Sequence, residues 1–129
     1  MPKEILIVDD EPGVVVPIQF LMEQQGYRVM IAERGADDLD LIYHYRPDLV
    51  LLDIMLHGID GYEVCEIIRL DPNFQDVKII FLTAKGHEVE IAKGLALGAD
   101  VYIIKPFSNT ALVAKVKDLL ETTYEEAGG

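Results

Sequence analysis

Cysteine, basic residues and long apolar runs are all scarce in this chain, and each scarcity excludes something. Of 129 residues only one is a cysteine, Cys65, so an internal disulfide is excluded and a reducing, cytosolic setting is expected. Lysine and arginine number 11 against 23 aspartates and glutamates, for a net charge of −12. Phosphate contacts need clustered basic side chains, so direct nucleic-acid binding is not expected. The acidity serves solubility for the most part. No apolar run approaches the roughly 20 residues that a bilayer span needs. The opening Met1-Pro2-Lys3-Glu4 leads straight into a strand and lacks a signal-peptide pattern, so a cytoplasmic, membrane-free protein is expected. The three histidines, His44, His57 and His87, share no ligand spacing, which argues against zinc or iron. No sequence repeat or low-complexity tract is present.

What the chain has is alternation between apolar runs and helical patterns, about five times over. Ile5-Leu6-Ile7-Val8, Leu49-Val50-Leu51-Leu52, Ile79-Ile80-Phe81-Leu82 and Val101-Tyr102-Ile103-Ile104 are continuous apolar runs without a period of two. Such runs read as parallel strands buried on both faces, and the alternation with helices reads as repeated βα units. Strands are expected near 4–9, 28–32, 48–53, 77–83 and 101–104, and helices near 13–25, 35–45, 61–69, 87–97 and 108–122. Ser108 can cap the last helix, whose Leu112, Val113, Val116, Leu119 and Leu120 form an apolar stripe. Pro17 and the β-branched Val14, Val15 and Val16 predict a distorted start to the first helix. The length suits one domain, taken as residues 1–122, followed by a polar tail or truncated linker at 123–129.

Polar residues stand where four of these strands end: Asp9 and Asp10, Asp53, Thr83 and Lys105. In open parallel α/β sheets chemistry gathers at the carboxyl ends of the strands. Each residue alone has an ordinary reading, as a turn former, a helix cap, a backbone-bonded hydroxyl or a solvated amine. Their joint occurrence at four strand ends is what singles them out. Carboxylates brought together repel unless a counter-charge is supplied, and a hard oxygen-seeking cation such as Mg²⁺ supplies one. One oxygen of Asp53 could then attack phosphorus, with Lys105 and the Thr83 hydroxyl stabilising the transferred group.

The chain resembles the response-regulator receiver domains. The matching stretches are Ile7-Val8-Asp9-Asp10-Glu11, Asp48-Leu49-Val50-Leu51-Leu52-Asp53, Asp60-Gly61, Leu82-Thr83-Ala84, Gly98-Ala99-Asp100 and Lys105-Pro106-Phe107. The resemblance implies a flavodoxin-like (βα)5 doubly wound parallel sheet in strand order 2-1-3-4-5 with helices on both faces. It implies that Asp53 accepts a phosphoryl group from a sensor histidine kinase or histidine phosphotransfer protein. Asp10, Asp53 and the Met55 carbonyl would hold Mg²⁺ directly, and Asp9 through water. Thr83 and Tyr102 would form the switch pair, the ring turning inward as the hydroxyl moves toward the phosphoryl group. The Lys105–Pro106 bond would be cis. The protein would be a signalling domain catalysing only its own phosphorylation and dephosphorylation, passing its state to an output partner through helix 4, strand 5 and helix 5.

The chain departs from the family pattern in several places. His57 stands where a proline is usual, and Val101 and Ala111 replace acids common in one type of receiver dimer, leaving Lys93, Lys115 and Lys117 on that face. Val15 and Val16 fall on the rim of the phosphorylation site, where they are candidates for contact with the helical hairpin of the phosphodonor. Cys65 lies within a helical pattern and reads as packing. Three rival readings are weaker. An aspartyl-phosphate phosphatase would want an acid at Met55, a flavin carrier would not place Asp9-Asp10-Glu11 at its phosphate loop, and a degenerate binding module would not keep the full acid set. Met55 and Lys85 occupy the two positions that tune hydrolysis in the family, and neither side chain positions an attacking water well. A long-lived phosphoryl mark is therefore expected, and the paired change Met55→Asn and Lys85→Glu should accelerate its decay. An unchanged decay rate, followed by intact mass, would rule this explanation out.

Overall fold

The apolar runs form a single parallel sheet. The computed structural model describes residues 2–9, 11–32, 35–54, 60–84 and 86–121. Its strands are β1 (Glu4–Val8), β2 (Arg28–Ala32), β3 (Leu49–Leu52), β4 (Lys78–Thr83) and β5 (Val101–Ile104). Their order is β2-β1-β3-β4-β5, as expected. The helices are α1 (Pro12–Gln24), α2 (Gly35–Tyr45), α3 (Gly61–Leu70), α4 (Glu88–Ala96) and α5 (Asn109–Glu121). A short 3₁₀ turn at Pro72–Phe74, which the sequence reading did not anticipate, starts from an Asp71 side chain bonded to the Asn73 amide at 2.9 Å.

β1, β3 and β4 carry fully buried apolar runs because they lie inside the sheet, with helices over both faces, whereas the fourth run, Val101–Ile104, is the edge strand β5 and, against expectation, is not buried on both faces. Leu6, Val8, Val50, Leu52, Ile79 and Phe81 pack toward α2 and α3 with Ile42, Val64, Cys65 and Ile68. The alternate residues Ile5, Ile7, Leu49, Leu51, Ile80 and Leu82 pack toward α1 and α5. From α5 come Leu112, Val116 and Leu120, backed by Val113 and Leu119, so its sequence stripe is its packing face. Ser108 caps α5 through Oγ, which accepts from the Ala111 amide at 3.0 Å. The Tyr27 hydroxyl donates to the Glu121 carboxylate and ties the end of α5 to the segment before β2.

The first helix bears on two expectations, of which the one for Val15 is corrected. α1 is continuous from Pro12 with Pro17 inside it, and its irregularity is confined to the start, where the Glu11 carbonyl accepts from both Val14 and Val15. Pro17 sits only one turn in, so few helical bonds precede it. Val15 is not a rim residue. It is buried against the sheet, while Val16 and Phe20 face outward one turn apart. Cys65 is fully buried, its thiol pushed up to about 11 by burial first of all, which suits packing rather than redox exchange. Leu51, 1% exposed at the centre of the sheet, has no room to be replaced by a smaller side chain without leaving a void. Leu51→Ala should lower the unfolding free energy by about 2–5 kcal/mol in a urea titration. A loss below ~1 kcal/mol would mean the core collapses around the vacancy.

Candidate functional site

Register brings the sequence-expected residues together. Val8 pairs with Leu52 across β1 and β3, so Asp9 and Asp53 leave their strands at the same level. Leu52 pairs with Phe81 and Thr83 with Ile104, which sets Thr83 one step and Lys105 two steps further out. Lys105 carries a side chain long enough to reach back. Its Nζ lies 2.9 Å from Asp9 Oδ2, 3.2 Å from Asp53 Oδ2 and 3.8 Å from Glu11 Oε1. The strand ends are also joined by backbone: the Asp53 amide donates to the Val8 carbonyl at 3.0 Å and the Lys105 amide to the Thr83 carbonyl at 2.8 Å. The Lys105–Pro106 bond is cis.

Asp9, Asp53 and Thr83 are the buried polar residues among those described, each no more than 6% exposed. Burial is the largest influence on Asp9 and pushes its carboxyl above the ordinary range. Hydrogen bonds from Lys105 and the Glu11 amide, and the Lys105 charge, pull it down without offsetting that effect, and Asp53 adds repulsion. Burial also works against the Lys105 charge, but the two carboxylates outweigh it and hold its ammonium firmly protonated. One ammonium is therefore too little positive charge for this cluster. Carboxylate oxygens of Asp9, Glu11 and Asp53 lie within 4.8 Å of one another, an oxygen-only donor set that suits a hard divalent cation. Glu11 was quoted in the sequence motif but not assigned a place in the site.

The wall beside Asp53 is built by α3. Asp60 caps that helix, its Oδ1 accepting from the Tyr62 amide at 2.7 Å. A Cβ on Gly61 would stand 2.4 Å from the Asp53 carbonyl oxygen, so only glycine lets α3 begin here. Tyr102 lies on β5, two strands from Asp53, partly buried, with its ring 5.8 Å from that of Phe81. Its hydroxyl is pushed well above the usual range, by burial first and then by a hydrogen bond with Tyr62. Asp10, Met55, His57 and Lys85 lie outside the described residues, as does the 123–129 tail. Tyr62 and Lys93 were missed as site neighbours, because nothing in a linear pattern distinguishes a tyrosine in a first helical turn or a lysine above its ring.

The response regulator receiver domain family matches residues 5–117, and the chain belongs to that family. It is similar to the BeF3-activated DrrB receiver domain, with 33% identity, a TM-score of 0.86 and coverage of 94% of this chain and 99% of that one. It is similar to the BeF3-activated N-terminal receiver domain of RstA from Klebsiella pneumoniae, with 31% identity, a TM-score of 0.86 and coverage of 92% and 99%. A signal receiver domain of a histidine kinase from Syntrophus aciditrophicus is 30% identical, with a TM-score of 0.86 and coverage of 94% and 92%. Receiver domains are signalling domains of two-component systems, and the family binds Mg²⁺ at an acidic pocket. Here Asp9, Glu11 and Asp53 form an acidic cluster. Among the described residues no helix is long and apolar enough to cross a membrane.

The raised Asp9 carboxyl has a thermodynamic consequence. Folding favours its protonated form, so the carboxylate costs stability above its folded pKa, and the cost disappears as pH falls through the folded value to below 3.8. Asp9→Asn should therefore raise the melting temperature by a few degrees at pH 7 without divalent cations, and the gain should vanish at low pH. Calorimetry across that range checks it; a lower melting temperature at pH 7 would show that the Lys105 contact matters more than burial.

Proposed function

We propose that the chain is a phosphorylation-dependent switch in which Asp53 accepts a phosphoryl group from phosphohistidine on a sensor histidine kinase or histidine phosphotransfer protein. The observation that carries this reading is the Lys105 ammonium lodged between the buried Asp53 and Asp9 carboxylates. An oxygen of Asp53 attacks phosphorus as the phosphorus–nitrogen bond breaks, and the histidine nitrogen leaves with that electron pair. Lys105 lies where it can turn from Asp53 toward the oxygens of the incoming group, keeping its bond to Asp9. Thr83, fully buried beside it, supplies a hydroxyl for one of those oxygens. Asp10, Asp53 and the Met55 carbonyl would hold Mg²⁺ directly and Asp9 through water, and the ion would supply counter-charge to the carboxylates and the phosphoryl group.

The remaining role assignments follow from this one. Thr83 and Tyr102 form the switch pair, and Met55 and Lys85 set the lifetime of the mark. The domain catalyses only its own phosphorylation and dephosphorylation, works in the cytoplasm, and contacts its output partner through α4, β5 and α5. Val89 and Ile104 are exposed large apolar residues on that face. Val16 and Phe20, exposed on α1, offer an apolar contact to the phosphodonor, whereas Val15 is buried.

Incubation with Mg²⁺ and acetyl phosphate, followed by intact mass, should give a phosphoryl adduct that Asp53→Asn abolishes. Lys105→Met should slow its formation about a hundredfold, the order expected for removing a preorganised charge at a transition state. An adduct that persists in Asp53→Asn would move the acceptor elsewhere and overturn the assignment.

A further inference from the structure

We propose that Gly94 is a positioning residue of the switch: the side chain it lacks leaves the seat in which the Tyr102 ring lies between α4 and Phe81, and that seat holds the unphosphorylated chain toward the ring orientation that phosphorylation selects. The inference rests on the receiver reading of Asp53 and Tyr102. Glycine inside a helix is less stable than alanine, so an interior position that carries it calls for a reason. Gly94 lies inside α4 and is the residue of that helix that is buried among those described. Its φ is not positive, unlike those of Gly26 and Gly98, so the backbone does not demand glycine there. Space does. A Cβ on Gly94 would stand 3.0 Å from Cδ2 of both Phe81 and Tyr102, and 3.1 Å from Cε2 of Tyr102.

Of the two rings, only one can yield to an added side chain. Phe81 is fully buried inside the sheet, with the Tyr62 ring edge-on to it at 5.5 Å. Tyr62 is itself held to α4, its hydroxyl donating to the Glu90 carbonyl at 3.0 Å and its ring centre 4.4 Å from Lys93 Nζ. Tyr102, by contrast, stands on the edge strand β5 and is only partly buried, its ring 5.8 Å from that of Phe81. A side chain at position 94 would therefore drive the Tyr102 ring toward solvent. Ile104, two residues on and on the same face of β5, meets glycine too: a Cβ on Gly86 would stand 3.2 Å from its Cδ1. Two successive side chains on this face of β5 thus rest on bare backbone of α4 and of the segment that leads into it.

Register ties this seat to the acceptor. Leu52 pairs with Phe81 and Phe81 with Tyr102, so the three side chains form a row across one face of the sheet. The row starts at the residue before Asp53 and ends under Gly94. Thr83 follows Phe81 by two residues and shares its face of β4, so a movement of Thr83 toward a phosphoryl group takes place beside the row. A ring already seated reduces the cost of reaching the phosphorylated state, because only the competent fraction binds without rearrangement.

The test uses the full chain carrying tyrosine labelled with carbon-13 in the ring, the Tyr102 resonances being assigned by their loss in Tyr102→Phe. Gly94→Ala favours the helix, so the variant should fold. Without ligand it should move the ratio of seated to released Tyr102 about tenfold toward release, the order expected for overpacking. It should also weaken binding of beryllofluoride with Mg²⁺ by up to that factor. In a Tyr102→Ala background Phe81 can give way into the vacated space. There the same change should leave beryllofluoride affinity unaltered and raise the urea midpoint. Unmoved Tyr102 resonances in Gly94→Ala, or equal weakening of beryllofluoride binding in both backgrounds, would overturn the proposal. A wild-type chain indifferent to beryllofluoride, with the ring still released by Gly94→Ala, would instead refute the acceptor reading and reduce the seat to a packing feature.

Discussion

Two carboxylates withdrawn from water at adjacent strand ends are the constraint around which the rest of this molecule is arranged. Asp9 and Asp53 are placed level by the β1–β3 register, and neither can swing away without breaking the pairing that buries Val8 and Leu52. Lys105 answers them from the end of the edge strand β5, and the desolvation of all three charged groups has to be offset elsewhere. The offset lies in β1, β3 and β4, whose apolar side chains are almost completely removed from water. Asp9 remains harder to ionise than an ordinary carboxyl even with Lys105 at 2.9 Å. The cluster is thus set for a further positive partner rather than for stability in isolation, as expected of a site built to bind and react.

The same constraint explains which parts of the protein could be read from the sequence. A strand buried on both faces needs an unbroken apolar run, so Ile5–Val8, Leu49–Leu52 and Ile79–Leu82 marked themselves, and the polar residue ending each run marked the site. The α5 stripe was legible for the same reason, since Leu112, Val116 and Leu120 bury one face at helical spacing. The 3₁₀ turn at Pro72–Phe74 was not, because three residues hold no period and its Asp71 cap resembles any turn. Val15 and Val16 defeated the sequence reading differently. Adjacent valines carry identical local signals, and only the rotation of α1 on the sheet decides that one is buried and the other is 60% exposed.

Tyr62 and Lys93 were invisible for a deeper reason. A site residue at a strand end announces itself by interrupting an apolar run, whereas Tyr62 lies in a helix where an aromatic is an ordinary core residue. Its place in the structure comes from contacts distant in sequence, with the Glu90 carbonyl and the Phe81 ring. Lys93, which the linear pattern leaves as a solvated charge, is placed over that ring by the packing of α4 on α3. Gly94 likewise reads as a weak point in a helix until the rings that occupy its missing side chain are in view.

A switch needs two arrangements of similar free energy, and the interior of this sheet is too well packed to provide them. If the domain switches as proposed, the α3–α4–β5 side is where that freedom would reside. β5 is an edge strand whose residues are only partly buried, and α4 buries a single residue, Gly94, among those described. Contacts there among the described residues include directional ones: a hydrogen bond from one phenol, one cation over one ring, and a ring seated on a glycine. Directional contacts break as a set when geometry shifts by a fraction of an ångström, whereas apolar contacts fade gradually. Charge placed on Asp53 would act at Thr83 and Lys105, at the ends of β4 and β5, and those ends are joined by the 2.8 Å bond from the Lys105 amide to the Thr83 carbonyl. Such an arrangement confines the effect of a local charge to one edge of the sheet, and the opposite face, closed by α1 and α5, stays the fixed frame against which that edge moves.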